Sequence, residues 1–234
     1  GDLFIAVSGD KFDAHKFIPS IANKISGAIV STLDSSLGIP QWVVKDTTQA
    51  LGDLARLRRD RFAGQVIAVT GSSGKTSVKE MIAAILRESV NVHATRGNLN
   101  NHIGVPLTLL DMDDQCDLAV IEMGASAAGE ISYLCSIAQP DIALINNIQR
   151  AHIAGFGNIE AIAEAKSEIY SGLKASGVAI LNLDEPYSKE WLALIAERQY
   201  LSFSVKDSRA DVFAKNIKEL GNGCYSFILC VGET

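Results

Sequence analysis

Apolar and polar positions divide the chain into two stretches. Up to about residue 62 the apolar residues fall in brief runs, Leu3–Val7, Ala28–Ser31 and Trp42–Lys45, which predict short strands. Phe17–Lys24 predicts a helix between them. Leu51, Leu54, Ala55 and Arg58 recur on one face and predict a second helix over Thr47–Arg59. Ala63-Gly64 interrupts the pattern, so the expected units are residues 1–62 and 63–234.

From Gln65 the pattern becomes a regular alternation. Val66–Thr70, Leu118–Glu122, Ile142–Ile145 and Val178–Leu181 are continuous apolar runs, as buried strands require. Helical stretches are predicted at Ser77–Glu88, Gly129–Ile137, Asn158–Leu173 and Pro186–Arg198. On the first of these, Val78, Met81, Ile82 and Ile85 make the expected buried side. Strands alternating with helices imply βαβ units. The expected class is therefore α/β: a small N-terminal α/β domain, then a domain with a mostly parallel sheet flanked by helices. Leu201–Val205, Val212–Ile217 and Tyr225–Val231, with a turn at Gly221-Asn222-Gly223, predict an antiparallel extension. Trp42 and Trp191 sit in apolar patterns and read as core.

Composition narrows the function classes. Nearly half of the 234 residues are apolar, enough for a substantial core. The net charge is −6, without a long basic run, which argues against nucleic acid as a partner. Cys116, Cys135, Cys224 and Cys230 show no metal-type spacing and read as buried, reduced thiols of a cytoplasmic protein. No apolar run approaches the roughly 20 residues of a membrane span. The chain starts at Gly1 without a methionine and Leu3–Val7 already reads as a strand, so residues are expected upstream.

The strongest chemical signal is Gly71-Ser72-Ser73-Gly74-Lys75-Thr76-Ser77, between a buried strand and a helix. Strand, glycine loop and helix in that order make a phosphate-binding loop. Glycines let backbone N–H groups converge on phosphate oxygens, and the helix N-terminus adds positive field. Lys75 supplies charge for the β- and γ-phosphates of ATP, and the Thr76 hydroxyl suits Mg²⁺. The general pattern wants glycine where Val69 stands, so the loop is a shortened variant.

With its preceding Thr70, this loop resembles that of the Mur ligases, which build the peptide stem of bacterial cell-wall precursors. Gly97-Asn98-Leu99-Asn100-Asn101-His102-Ile103-Gly104-Val105-Pro106 is similar to the family segment G-N-x-N-N-x-I-G-x-P. Ile121-Glu122-Met123-Gly124-Ala125 with Gly129-Glu130-Ile131 resembles its acidic strand end. Asn146-Asn147 and Ala151–Gly157 resemble its metal-histidine loop, and Ala165–Tyr170 its A-K-x-x-I-[YF] helix. Phe12–Phe17 is similar to its UDP-binding side. The combination is closest to members that join D-alanyl-D-alanine to UDP-N-acetylmuramoyl-tripeptide. Such enzymes have three domains. The resemblance therefore implies that both units here are incomplete, that a C-terminal domain is absent, and that the chain by itself does not turn over. Ala154 replaces a commonly acidic residue, and His102 is unusual in its segment.

The resemblance implies site roles. Lys75, His152 and Lys166 would be catalytic, and residues 71–77 would hold ATP. Thr76, Glu122, His152 and Lys166 would serve Mg²⁺, Lys166 as a carbamate. Asn98, Asn100, Asn101, Asp13 and His15 would meet substrate. Taken alone, Glu122 also reads as an exposed strand-end acid, His152 as a structural or surface histidine, and Lys166 as a solvated lysine beside Glu164 and Glu168. The asparagines read equally as a turn. A monomer is the expected state.

Overall fold

The computed structural model describes residues 1–9, 12–150, 153–195 and 197–232. The first unit holds β1 (Asp2–Ile5), β2 (Ser8–Gly9), β3 (Phe12–Asp13), α1 (Ile18–Ile21), β4 (Ile25–Val30) and β5 (Gln41–Val43). A parallel sheet ordered β1-β4-β5 covers a small core of Ala6, Ala14, Ile18, Ala28 and Val30. The helix expected at Phe17–Lys24 is shorter: a 3-10 turn, Ala14–Phe17, runs into the four-residue α1. Trp42, expected in the core, is exposed; its ring lies over Gly27, where a Cβ would come within 2.7 Å of the indole.

The fifteen-residue helix α2 (Thr47–Arg61) starts under Asp46, whose carboxylate accepts from the N–H groups of Thr48 and Gln49. It belongs to the first stretch by sequence but packs on the second. Ala55 and the following Phe62 join the main core. Arg59 is buried and donates to the carbonyls of Ala138 and Gln139 and to Asp141 at 2.7 Å. Asp141 also takes Lys174 at 2.7 Å and the Val66 N–H at 2.8 Å. One partly buried ion cluster thus ties α2 to the base of the large sheet.

That sheet and its helices follow as β6 (Gln65–Thr70), α3 (Lys75–Arg87), β7 (Val92–Ala94), α4 (Gly104–Leu110), β8 (Leu118–Glu122), α5 (Glu130–Ala138), β9 (Ile142–Ile145), α6 (Ile153–Phe156), α7 (Ile159–Ser171), β10 (Val178–Asn182), α8 (Ser188–Leu194), β11 (Gln199–Ser204), β12 (Val212–Gly221) and β13 (Cys224–Val231). The strand order is β13-β12-β11-β10-β9-β6-β8-β7. Every pairing is parallel except β12 with β13. The antiparallel extension is therefore confined to the last hairpin, and β11 is a parallel member.

Alternation along the strands sorts residues to the two faces. Val66, Ala68, Ala119, Ile121, Ala143 and Ile145 join the core under α4, α5 and α7, and Trp191 on α8 joins it as expected. Ile67, Val69, Val120 and Leu144 pack under α3, against Val78, Ile82 and Leu86. Each such buried aliphatic side chain contributes about 2 kcal/mol. Met81 and Ile85, expected on the buried side of α3, face solvent; Ala83 and Lys79 are buried instead. Of the cysteines, all free, only Cys135 is fully buried and Cys224 is exposed. Among the described residues no helix is long and apolar enough to cross a membrane.

Candidate functional site

From β6 the chain turns towards β7, and from β9 towards β10, so the connections diverge between β6 and β9. Ligands of open α/β sheets bind outside the strands' carboxyl ends at such a point. The phosphate loop leaves β6 there. Gly71 has φ 150° and Gly74 φ 69°, in the region that favours glycine. A Cβ at Gly74 would stand 3.0 Å from the Asn146 amide nitrogen.

The loop is held from β9's side. The Ser72 N–H donates to the Asn147 carbonyl and the Ser73 N–H to Asn147 Oδ1, both at 2.9 Å. Asn146 Nδ2 donates to the Ser73 carbonyl at 2.8 Å. Ser72 Oγ and Gln149 exchange hydrogen bonds at 3.0 and 2.8 Å. Asn182, ending β10, donates to the Asn146 carbonyl at 3.1 Å and steadies this brace. Gln149 and Asn182 carry no chemical motif, so sequence reading passed over them.

Lys75 begins α3 and folds back, its Nζ donating to the Gly71 carbonyl at 2.9 Å. Burial lowers its pKa, and the nearby Glu122 charge works against that shift. Thr76 Oγ1 donates to Glu122 Oε2 at 2.8 Å. Glu122 ends β8 and is buried, so the exposed-acid reading fails. Its other oxygen accepts from Asn100 Nδ2 at 2.7 Å. Asn101 Oδ1 accepts from the N–H groups of Ile103 and Gly104 and sets the entry to α4. Asn98 is exposed, as are Ser73 and Ser77.

Lys166 on α7 is 2 % exposed, which excludes the solvated-lysine reading. Burial, then the charge of Lys75, pushes its ammonium down to about 8. Glu168, two residues on, is engaged elsewhere: it accepts from the N–H groups of Gly129 and Ser132 at 2.7 and 2.9 Å, at the start of α5. His152 lies outside the described residues.

Lys75, Asn98, Asn100, Asn101, His102 and Glu130 share the wall of a cavity of about 570 Å³. Asp13 and His15 are remote in sequence from this cluster and line a separate one of about 260 Å³, with Ser31 and Asp34. There the hydrogen bonds close on themselves. His15 Nδ1 meets Asp13 at 2.7 Å and Nε2 accepts from the Ser31 N–H at 2.9 Å, which assigns the ring proton to Nδ1.

Comparison with known proteins agrees with this geometry. Residues 69–231 match the family description "Mur ligase middle domain". The chain is 44 % identical over 223 residues to the UDP-N-acetylmuramoyl-tripeptide–D-alanyl-D-alanine ligase of Escherichia coli (strain K12), covering 95 % of this chain and 49 % of that protein. Its counterpart in Buchnera aphidicola subsp. Acyrthosiphon pisum (strain APS) is 46 % identical over 93 % of this chain and 48 % of its own. A crystal structure of MurF from Acinetobacter baumannii superposes with a TM-score of 0.92 at 42 % identity, over 99 % of this chain and 50 % of that one. MurF ligase from Thermotoga maritima in complex with ADP gives 0.84 at 33 % identity, over 99 % and 53 %. The chain thus spans about half the length of the relatives it matches.

Proposed function

This chain belongs to the Mur ligase family, and on that premise we propose that it is the nucleotide-binding part of an ATP-dependent ligase that joins D-alanyl-D-alanine to UDP-N-acetylmuramoyl-tripeptide. The observation that carries the reading is the meeting of Lys75, Thr76, Glu122 and Asn100 beside the phosphate loop, at the open edge of the sheet. In this reading the tripeptide carboxylate attacks the γ-phosphorus of ATP, ADP leaves, and an acyl phosphate forms. The dipeptide amine attacks the acyl carbon, the tetrahedral intermediate loses phosphate, and an amide remains. Carboxylate and triphosphate repel each other, so the site must concentrate positive charge and hold both in line.

Residues 71–77 are assigned to the phosphates, with Lys75 released from the Gly71 carbonyl as they bind. The Thr76 hydroxyl and the Glu122 carboxylate are hard oxygen donors 2.8 Å apart, and they are the residues that would hold Mg²⁺. A cation held there would supply positive charge to offset the phosphate oxygens. Asn100 holds the carboxylate in place. A pKa of about 8 gives Lys166 a neutral fraction near pH 7, which carbamylation by CO₂ requires, with loss of one proton. The carbamate would be an anion beside Lys75, able with His152 to serve a second cation. Asn98 and Asn101 belong to the substrate side of the cavity, and residues 1–62, with Asp13 and His15, to the UDP-sugar. The reaction belongs in the cytoplasm, by a monomer.

The test is acyl-phosphate exchange by the complete ligase, read as Mg²⁺-dependent scrambling of ATP oxygens, with UDP-linked tripeptide set against UDP-linked monopeptide and folate. Exchange with the tripeptide alone is expected. Exchange only with another acceptor acid would reassign the substrate and keep the chemistry.

A further inference from the structure

Lys79 is 0 % exposed although it carries an ammonium group and lies outside the phosphate loop. It stands one helical turn beyond Lys75, on the same side of α3. Its Nζ donates to the Thr95 carbonyl at 2.6 Å and to the carboxylate of Glu80, a side chain more than half exposed. Thr95 follows β7, and its N–H still donates to the Val120 carbonyl at 3.0 Å. At the start of β8 the Leu118 N–H donates to the Asn91 carbonyl. A parallel ladder repeats that step, so four residues on the Glu122 N–H falls due to the Thr95 carbonyl. Instead that N–H donates to the Thr95 hydroxyl at 2.9 Å, and Lys79 holds the carbonyl. A lysine of the phosphate helix therefore decides how β8 ends, at the residue that faces Thr76.

We propose that Lys79 and Thr95 are positioning residues that set the Glu122 carboxylate opposite Thr76. The proposal rests on the reading of Thr76 and Glu122 as holders of Mg²⁺. A purely structural role predicts that Lys79→Met, which leaves the Thr95 carbonyl without its buried donor, lowers the melting temperature and leaves the difference between Mg²⁺ and EDTA untouched. Lys79→Met, close in length and volume, separates the two roles.

The test is binding of ADP to the purified protein by isothermal titration, once with Mg²⁺ and once with EDTA, for wild type, Lys79→Met, Thr95→Val and Thr95→Ser, each with its melting temperature. Wild type is expected to bind more tightly with Mg²⁺. Lys79→Met and Thr95→Val are expected to lose about tenfold of the Mg²⁺-dependent affinity, the usual effect of removing support behind a metal ligand. Their affinity in EDTA should be unchanged, and Thr95→Ser should keep both. An unaltered Mg²⁺ response in a folded Lys79→Met overturns the proposal and leaves the loop assignment standing. If Lys79→Met does not fold, the Thr95 pair decides, and equal Mg²⁺ responses of the Val and Ser variants overturn it. Wild type that binds ADP equally with and without Mg²⁺ overturns the Mg²⁺ assignment, and the relay with it.

Discussion

The group around Glu122 and the group around His15 are made of similar parts: a carboxylate, a nitrogen side chain, a hydroxyl and nearby backbone N–H groups. At His15 those parts satisfy one another. Asp13 caps the following turn through the His15 N–H and holds the ring, and the ring receives the Ser31 N–H. At Glu122 the capacity is not used up. Lys75 spends its charge on a carbonyl of its own loop. Lys166 is buried beside Lys75, and each lysine's ionisation is depressed by burial. The difference teaches that residue type alone does not make a phosphate site. The Glu122 group keeps charge and donors that a polyanion can draw on; the His15 group has its ring and carboxylate already fixed by their own hydrogen bonds.

The sharpest way to break that contrast is Lys75→Ala. Turnover in the complete ligase should fall by about 10³-fold, about 4 kcal/mol of transition-state stabilisation, with the melting temperature hardly changed. Near-normal turnover would remove the loop from the chemistry. Arg59→Met should act in the opposite manner. It leaves Asp141 and three carbonyls short of a buried donor and should cost about 3 kcal/mol in urea unfolding, with ADP affinity intact. Unchanged stability would show that α2 docks without the ion cluster.

The third prediction concerns Lys166 and pH. Its folded pKa, about 8, lies below the ordinary 10.5, so between those values the unfolded chain binds the proton more strongly. Stability should rise with pH across that window, and below it the burial cost is fully present. Lys166→Met should flatten the slope of melting temperature against pH. ¹³C-bicarbonate should label Lys166 increasingly as pH rises from 7 to 8, a change of about fivefold in the neutral amine. A label independent of pH would contradict the depressed pKa. The smallest effect is expected from His15→Ala, a loss of about 1 kcal/mol of stability with ADP binding unchanged. Loss of ADP affinity there would erase the distinction between the two groups.

Several local features were visible in the sequence. The apolar run of β6, the loop of residues 71–77 and the helix after it stand as expected to within two residues, because dihedral demands and hydrophobic period act over a few neighbours. The turn at Gly221-Asn222-Gly223 likewise has φ of 92°, 52° and 74°. The short β7 gave no signal in its three residues. The helix α4 was concealed by its opening Gly104 and by Pro106, which a first turn tolerates because its N–H groups are free. On α3 the expected apolar face was rotated, since Lys79 takes a buried place that hydropathy alone assigns to a residue such as Met81 or Ile85.

The sequence by itself determined a parallel α/β unit, a shortened phosphate loop, and Lys75 and Thr76 at the start of a helix. Only the tertiary structure decided what those two residues face. Glu122 is 46 positions from Thr76 and 22 from Asn100, and Lys166 reaches Lys75's surroundings from another helix. The position of a carboxylate and the pKa of an ammonium depend on burial and on charges brought together across the sheet. Strand order and packing supply these, and no stretch of neighbouring residues carries them.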